Sequence, residues 1–216
     1  MGPFAFALLL CVALLAEEQN TPERKIQQTV LTSAQKPSVR IQLPTQARYL
    51  GADRWVLYGV ADCELHIWIE ANQDKLVTKL YWVQFESFLP SKPEARYKYP
   101  FTRTENIGGF EFDVRARFGP FTPTKPGSDA DHVWKLIERA GYKLPPDMMN
   151  VRFVHLPDEQ KRSELMIIYA EDLKGAGFTS ADLEPGGKGS DQWATLEQAL
   201  IERGAKTLKL SKPSTH

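Results

Sequence analysis

Apolar and polar residues alternate most cleanly over residues 110–118, where Phe110, Phe112, Val114, Ala116 and Phe118 are interleaved with Glu111, Asp113, Arg115 and Arg117. A period of two puts one set on each side of an extended chain, so this stretch predicts a half-buried strand. Val39, Ile41 and Leu43 repeat the pattern over residues 38–43, and Pro44 ends it. Residues 54–60 (RWVLYGV) and 61–71 are aromatic and β-branched and predict two more strands. The Asn72-Gln73-Asp74 turn then leads into a long strand over 76–89. Strands over 150–156 and 164–170 flank the charged turn PDEQKR.

Two segments switch to helical spacing. Ser128 can cap a helix over 129–140, with acids in its first turn, Val133, Trp134, Ile137 and Ala140 as its stripe, and Gly141 just beyond. Ser190 can cap a second over 191–203, with Trp193, Leu196, Ala199 and Leu200 inward and Gly204 after it. Loops are expected at 90–107, 119–127 and 184–190. Short connections favour antiparallel pairing. The expected class is therefore α+β, a curved, mostly antiparallel sheet of about five to seven strands with two main helices packed on it.

The 216-residue length suits a single domain over 38–210, preceded by a linker or short helix at 17–37 and followed by a disordered tail at 211–216. Residues 1–16 stand apart, because 3–16 (PFAFALLLCVALLA) carry no charge and Glu17-Glu18 follow at once. A helix needs about 20 apolar residues to cross a bilayer, so this run reads as a signal-peptide core and the protein as secreted or periplasmic. No Lys or Arg precedes the run, and a cut after Ala16 would leave Leu14 where a small residue is preferred. The alternatives are an uncleaved membrane tether and a cytosolic protein with an apolar tail. Once the segment is removed, Cys63 is the sole cysteine, no intramolecular disulfide can form, and the thiol reads as buried and structural. Lys+Arg and Asp+Glu each number 27, with no basic stripe, which argues against nucleic acid as a partner.

The candidate chemistry lies in the stretch 61–86, where Asp62, Glu64 and His66 recur at every second position. A turn closed by Glu70 and Lys75 sets His66 opposite Lys79, and puts Trp68, Tyr81, Val83 and Phe85 on the same face as the acid row. Cys63, Leu65, Ile67 and Ile69 then line the other face with Leu76, Leu80 and Trp82. The row reads as a solvated strand surface, but so many aromatics beside it need a cover. A helix carrying Trp134 or Trp193 could supply it. Otherwise a pocket floored by Trp68 and Tyr81 could open there, edged by Glu64, His66 and Glu86, although alternation assigns Glu86 to Trp82's face unless a bulge intervenes. A zinc site wants three or four ligands, mostly His or Cys, and only His66 qualifies, so neither metal nor cofactor is expected.

Elsewhere, Asp129, Asp131 and His132 read as complements to a helix dipole, and His155 as a satisfied core or edge histidine. Tyr97 and Tyr99 either pack back on the sheet or meet a partner. GKGS at 187–190 lacks the order of a phosphate loop, and the common hydrolase, zinc-protease and dinucleotide motifs are absent. The leading expectation is a non-catalytic exported domain that binds a small apolar ligand or a partner protein through Trp68, Tyr81 and His66. The alternatives are a hydrolase using Glu64, His66 and Glu86 as acid/base groups, and a structural or assembly module. Membrane contact is expected only through an uncleaved N-terminal segment.

Overall fold

The computed structural model describes residues 21–121 and 125–213, so the apolar run at 3–16 and the end of the tail lie outside the described residues. The described chain opens with β1 (Lys25–Gln27), β2 (Val30–Ser33) and β3 (Val39–Gln42), which join the last strand, β11 (Lys209–Ser211), in a small antiparallel sheet ordered β1-β2-β3-β11. Between them run β4 (Arg48–Leu57), β5 (Ala61–Ala71), β6 (Val77–Phe88), β7 (Arg103–Ile107), β8 (Phe110–Pro120), β9 (Asp147–His155) and β10 (Ser163–Asp172). These seven form the main sheet, ordered β4-β5-β6-β10-β9-β8-β7, with every neighbouring pair antiparallel. Helices α1 (Asp129–Arg139), α2 (Ser180–Leu183) and α3 (Trp193–Thr207) complete an α+β architecture in which the main sheet stays open. Among the described residues no helix is long and apolar enough to cross a membrane.

Both faces of the main sheet carry a cluster of buried apolar side chains. One presents Trp68, Tyr81, Phe85, Phe112, Phe153 and Ile167 to the small sheet and to Leu200 and Ile201 of α3. The other presents Cys63, Leu65, Ile67, Trp82 and Met166, and α1 covers part of it with Val133, Leu136 and Ile137. Double burial explains why β5 and β6 carry large apolar side chains on both alternating sets of positions. α1 starts as its sequence predicts: the Ser128 hydroxyl accepts from Asp131 N–H, and Gly141 follows in the left-handed region.

Several expectations need correction. Residues 25–33, expected as linker or short helix, form the β1–β2 hairpin. Ile26, Val30 and Leu31 are too few for a helical stripe, but they suffice for two short strands that bury Leu31 completely. The expected loop 90–107 ends in β7, an edge strand whose polar sequence RTENI hides its period. α3 starts at Trp193, with no side-chain cap from Gln192, and passes through Gly204 to Thr207. Gly204 is there for a close approach: a Cβ would lie 3.0 Å from Val151 and 3.1 Å from Phe153.

The β5–β6 hairpin has a longer turn than expected. Asn72 Oδ1 accepts from Asp74 N–H and Leu76 N–H, and Glu70 faces Lys79 instead of Lys75. His66 then sits opposite Val83 and Cys63 opposite Glu86. Because the register moves by an even number of residues, the side chains of Ala61–Glu70 and their partners keep their predicted faces, while Val77, beyond the register shift at Ala71, packs with Leu65 and Trp82.

Candidate functional site

The sequence-predicted row does not form a wet surface. Trp68, Tyr81, His66 and Glu64 are each at most 1% exposed, and the small sheet packs with the aromatics of this face, which is interior at these residues. His66 Nε2 meets Glu64 Oε1 at 2.8 Å, and His66 Nδ1 meets the Tyr49 hydroxyl at 3.1 Å. A ring proton on Nε2 satisfies both contacts. Glu64 also accepts from Glu23 N–H (2.8 Å), Arg24 N–H (3.0 Å) and Arg24 Nη1 (2.9 Å). Burial alone would raise the Glu64 pKa, but these donors and His66 hold it down at about 2. Burial and the Glu64 charge push Tyr49 up to about 12. This chain clamps the residues before β1 onto β5. Glu86 does not join it, because the only register shift in the pair lies between Glu70 and Ala71 and Glu86 stays on Trp82's side.

That opposite face carries a second polar network. Trp82 Nε1–H donates to Gln84 Oε1 and Gln84 Nε2–H to Glu86 Oε2, both at 2.9 Å. From the loop after β6, the Tyr97 hydroxyl donates to Glu86 Oε1 at 2.7 Å and the Tyr99 hydroxyl donates to Glu164 Oε2. Tyr97 and Tyr99 thus pack back on the sheet. Arg152 Nη2 donates to the Tyr99 oxygen at 3.2 Å and lies 3.5 Å from Glu164 Oε1. Burial and the neighbouring Glu86 charge raise Glu164 to about 7 and Asp129, at the start of α1, to about 6. Buried Asp129 Oδ1 and Arg152 Nε have no hydrogen-bond partner among the described residues.

Cys63, Glu86 and Asp129 place potential ligand atoms within 4.8 Å of one another. A metal there would have to displace a proton from a thiol that burial and the Glu86 charge push far above its ordinary pKa, so the donor set fits a metal poorly. The other expected groups find structural partners. Asp131 bonds Gly127 N–H and Lys135, His132 bonds Asp53, and His155 bonds the Glu111 carbonyl.

Beside this network a cleft of about 480 Å³ opens over β6, β10, β9 and β8. Trp82, Met148, Met166 and Ile168 make its floor, the first turn of α1 walls one side, and Arg117, Asn150 and Arg152 edge the other. The volume is that of a small-molecule site, and an apolar floor with few convergent polar groups is the usual composition of one. Its charge is lopsided. In register Arg115 stands opposite Arg152 and Arg117 opposite Asn150, which brings three guanidinium groups onto one face. Like charges set across strands cost a few tenths to about 1 kcal/mol. Burial, then Arg115 and Arg152, lower the Arg117 pKa, and no carboxylate is among the groups that shift it.

No protein-family model matches the chain, and no curated protein or solved structure is significantly similar to it. Function must therefore come from the geometry. Sequence reasoning missed the cleft because Arg115 and Arg117 look like an ordinary solvated strand face. Only the pairing of β8 with β9, invisible in the sequence, adds Arg152 to them.

Proposed function

We propose that the protein is a non-catalytic binding protein that takes an organic anion with an apolar body in the cleft edged by Arg117 and Arg152. The observation that carries this reading is Arg117, a guanidinium without an ion-pair partner among the described residues, at the edge of a cleft with an apolar floor. Among the described residues Arg117 makes no ion pair and no side-chain hydrogen bond, although it lines the same cleft as Ile168 and Met166. An anionic head at that edge with an apolar body over the floor satisfies both surfaces at once.

The hydrolase alternative has less support. Both ring nitrogens of His66 are engaged, the ring is buried, and Glu86 lies across the sheet from it. The apolar run at 3–16 supports an exported protein, and the even balance of charge argues against nucleic acid. Fractionation of cells expressing the full chain checks export. Recovery in the cytosolic fraction alone counts against it.

Calorimetric titration with decanoate checks the binding reading. Wild type is expected to bind, Arg117→Gln to bind about tenfold more weakly, in line with loss of a charged hydrogen bond, and Ile168→Glu not to bind. Equal affinity in all three proteins would contradict the cleft as the site.

A further inference from the structure

We propose that the head group taken at this cleft is a phosphate monoester, a dianion, in preference to a singly charged acid. This rests on the anion-binding reading above and concerns only the charge of the head.

Three arginines share one face, Arg117 and Arg152 lining the cleft and Arg115 next to them in register, but their surroundings differ. Arg152 is compensated from beneath by Glu164 Oε1 at 3.5 Å and by the Tyr99 hydroxyl at 3.2 Å. Arg115 and Arg117 make no ion pair and no side-chain hydrogen bond among the described residues. Asp113, two positions before Arg115 on the same face, makes no ion pair either. Arg115 and Arg117 are thus left without ion-paired partners, at alternate positions of one strand and about 6.6–7 Å apart along the backbone, with the Asp113 carboxylate one such step beyond Arg115. The guanidinium forks are long enough to turn toward one group set between them. A phosphoryl group brings two charges and three strong acceptor oxygens, enough to neutralise both forks at once. A carboxylate or sulfate ester brings one charge and leaves one arginine beside Arg152 without relief.

The apolar floor sets the other end of the ligand. Ile168 is partly open to the cleft, while Trp82 and Met166 lie at its base. The ligand class is therefore a phosphate monoester carrying a hydrocarbon or aromatic body, whether free in solution or presented by a lipid.

The experiment uses the full chain and calorimetry at about pH 8, where a phosphate monoester is dianionic. Octyl phosphate is compared with octyl sulfate, which has the same tetrahedral head and tail but one charge. Octyl phosphate is expected to bind about tenfold more tightly, and Arg115→Gln or Arg117→Gln to remove that preference without lowering the melting temperature, since both side chains are exposed. Equal affinity for the two probes in wild type overturns the head-group assignment and leaves the anion cleft standing. Failure of both probes to bind overturns the two readings together. A preference that persists in both variants also overturns the assignment, because the charge is then read elsewhere. Cosedimentation separates the two sources. Capture by vesicles containing phosphatidic acid but not by those containing phosphatidylglycerol supports a lipid-borne head, and binding of monomeric octyl phosphate without vesicle capture supports a soluble one.

Discussion

Glu64 and Glu164 are both about 1% exposed, yet their neighbours drive them in opposite directions. Glu64, ringed by donors, titrates at about 2 instead of 4.5. Its stabilising contribution is present above pH 4.5 and is lost as pH falls toward 2. Glu164 and Asp129, raised to about 7 and about 6, contribute stability at low pH that is lost as pH rises through those values, at roughly 1.4 kcal/mol per pH unit for each group while only its unfolded form is ionised. The melting temperature is therefore expected to fall between about pH 4.5 and pH 7, and Glu164→Gln to flatten that fall. A profile with the same slope in the variant would contradict the assignment. Glu64→Ala leaves two backbone N–H groups without their acceptor and Arg24 with only a 3.9 Å contact to Glu23, and is expected to cost about 3–5 kcal/mol, as removal of one partner of a buried pair does. Thermal denaturation near pH 7 reads that loss.

At the scale of elements, the sequence was most legible where a strand buries one face or both. β5 was readable to the residue, and β8 to within two, because Phe110–Phe118 alternate without a break. The short edge strands were not readable. β1, β7 and β11 are three to five residues long, and pairing with distant partners makes them strands more than their own composition does. The faces of the hairpin were predicted correctly because register errors of even size preserve them, but the cover over the aromatic face was not, since it comes from β1 to β3 and β11 at the two ends of the chain. One glycine marks how tightly β11 seats. Gly108, in the β7–β8 turn at φ +61°, would place a Cβ 2.1 Å from the Leu210 carbonyl oxygen. Gly108→Ala is expected to destabilise by about 2 kcal/mol or more, through backbone strain and displacement of β11. Urea denaturation measures it, and a neutral result would mean that β11 can shift at no cost.

For the whole molecule, the main sheet has given its two faces different tasks. One is sealed by the small sheet and α3. The other is only partly covered by α1, and its uncovered portion carries the buried acids, the arginines and the cleft. Acids and cleft share Arg152, which links binding to protons: protonation of Glu164 frees Arg152 for an incoming anion. Binding of octyl sulfate, whose own charge is constant, is thus expected to tighten between pH 8 and pH 6. A flat profile would separate Glu164 from the site. The most direct measurement of the central claim is chemical-shift mapping of backbone amides in the ¹⁵N-labelled full chain during titration with decanoate. The account predicts that the largest shifts fall at 117–121, 148–152 and 166–168, around the cleft. Saturable shifts confined to any other face, or no shifts at all, would contradict it.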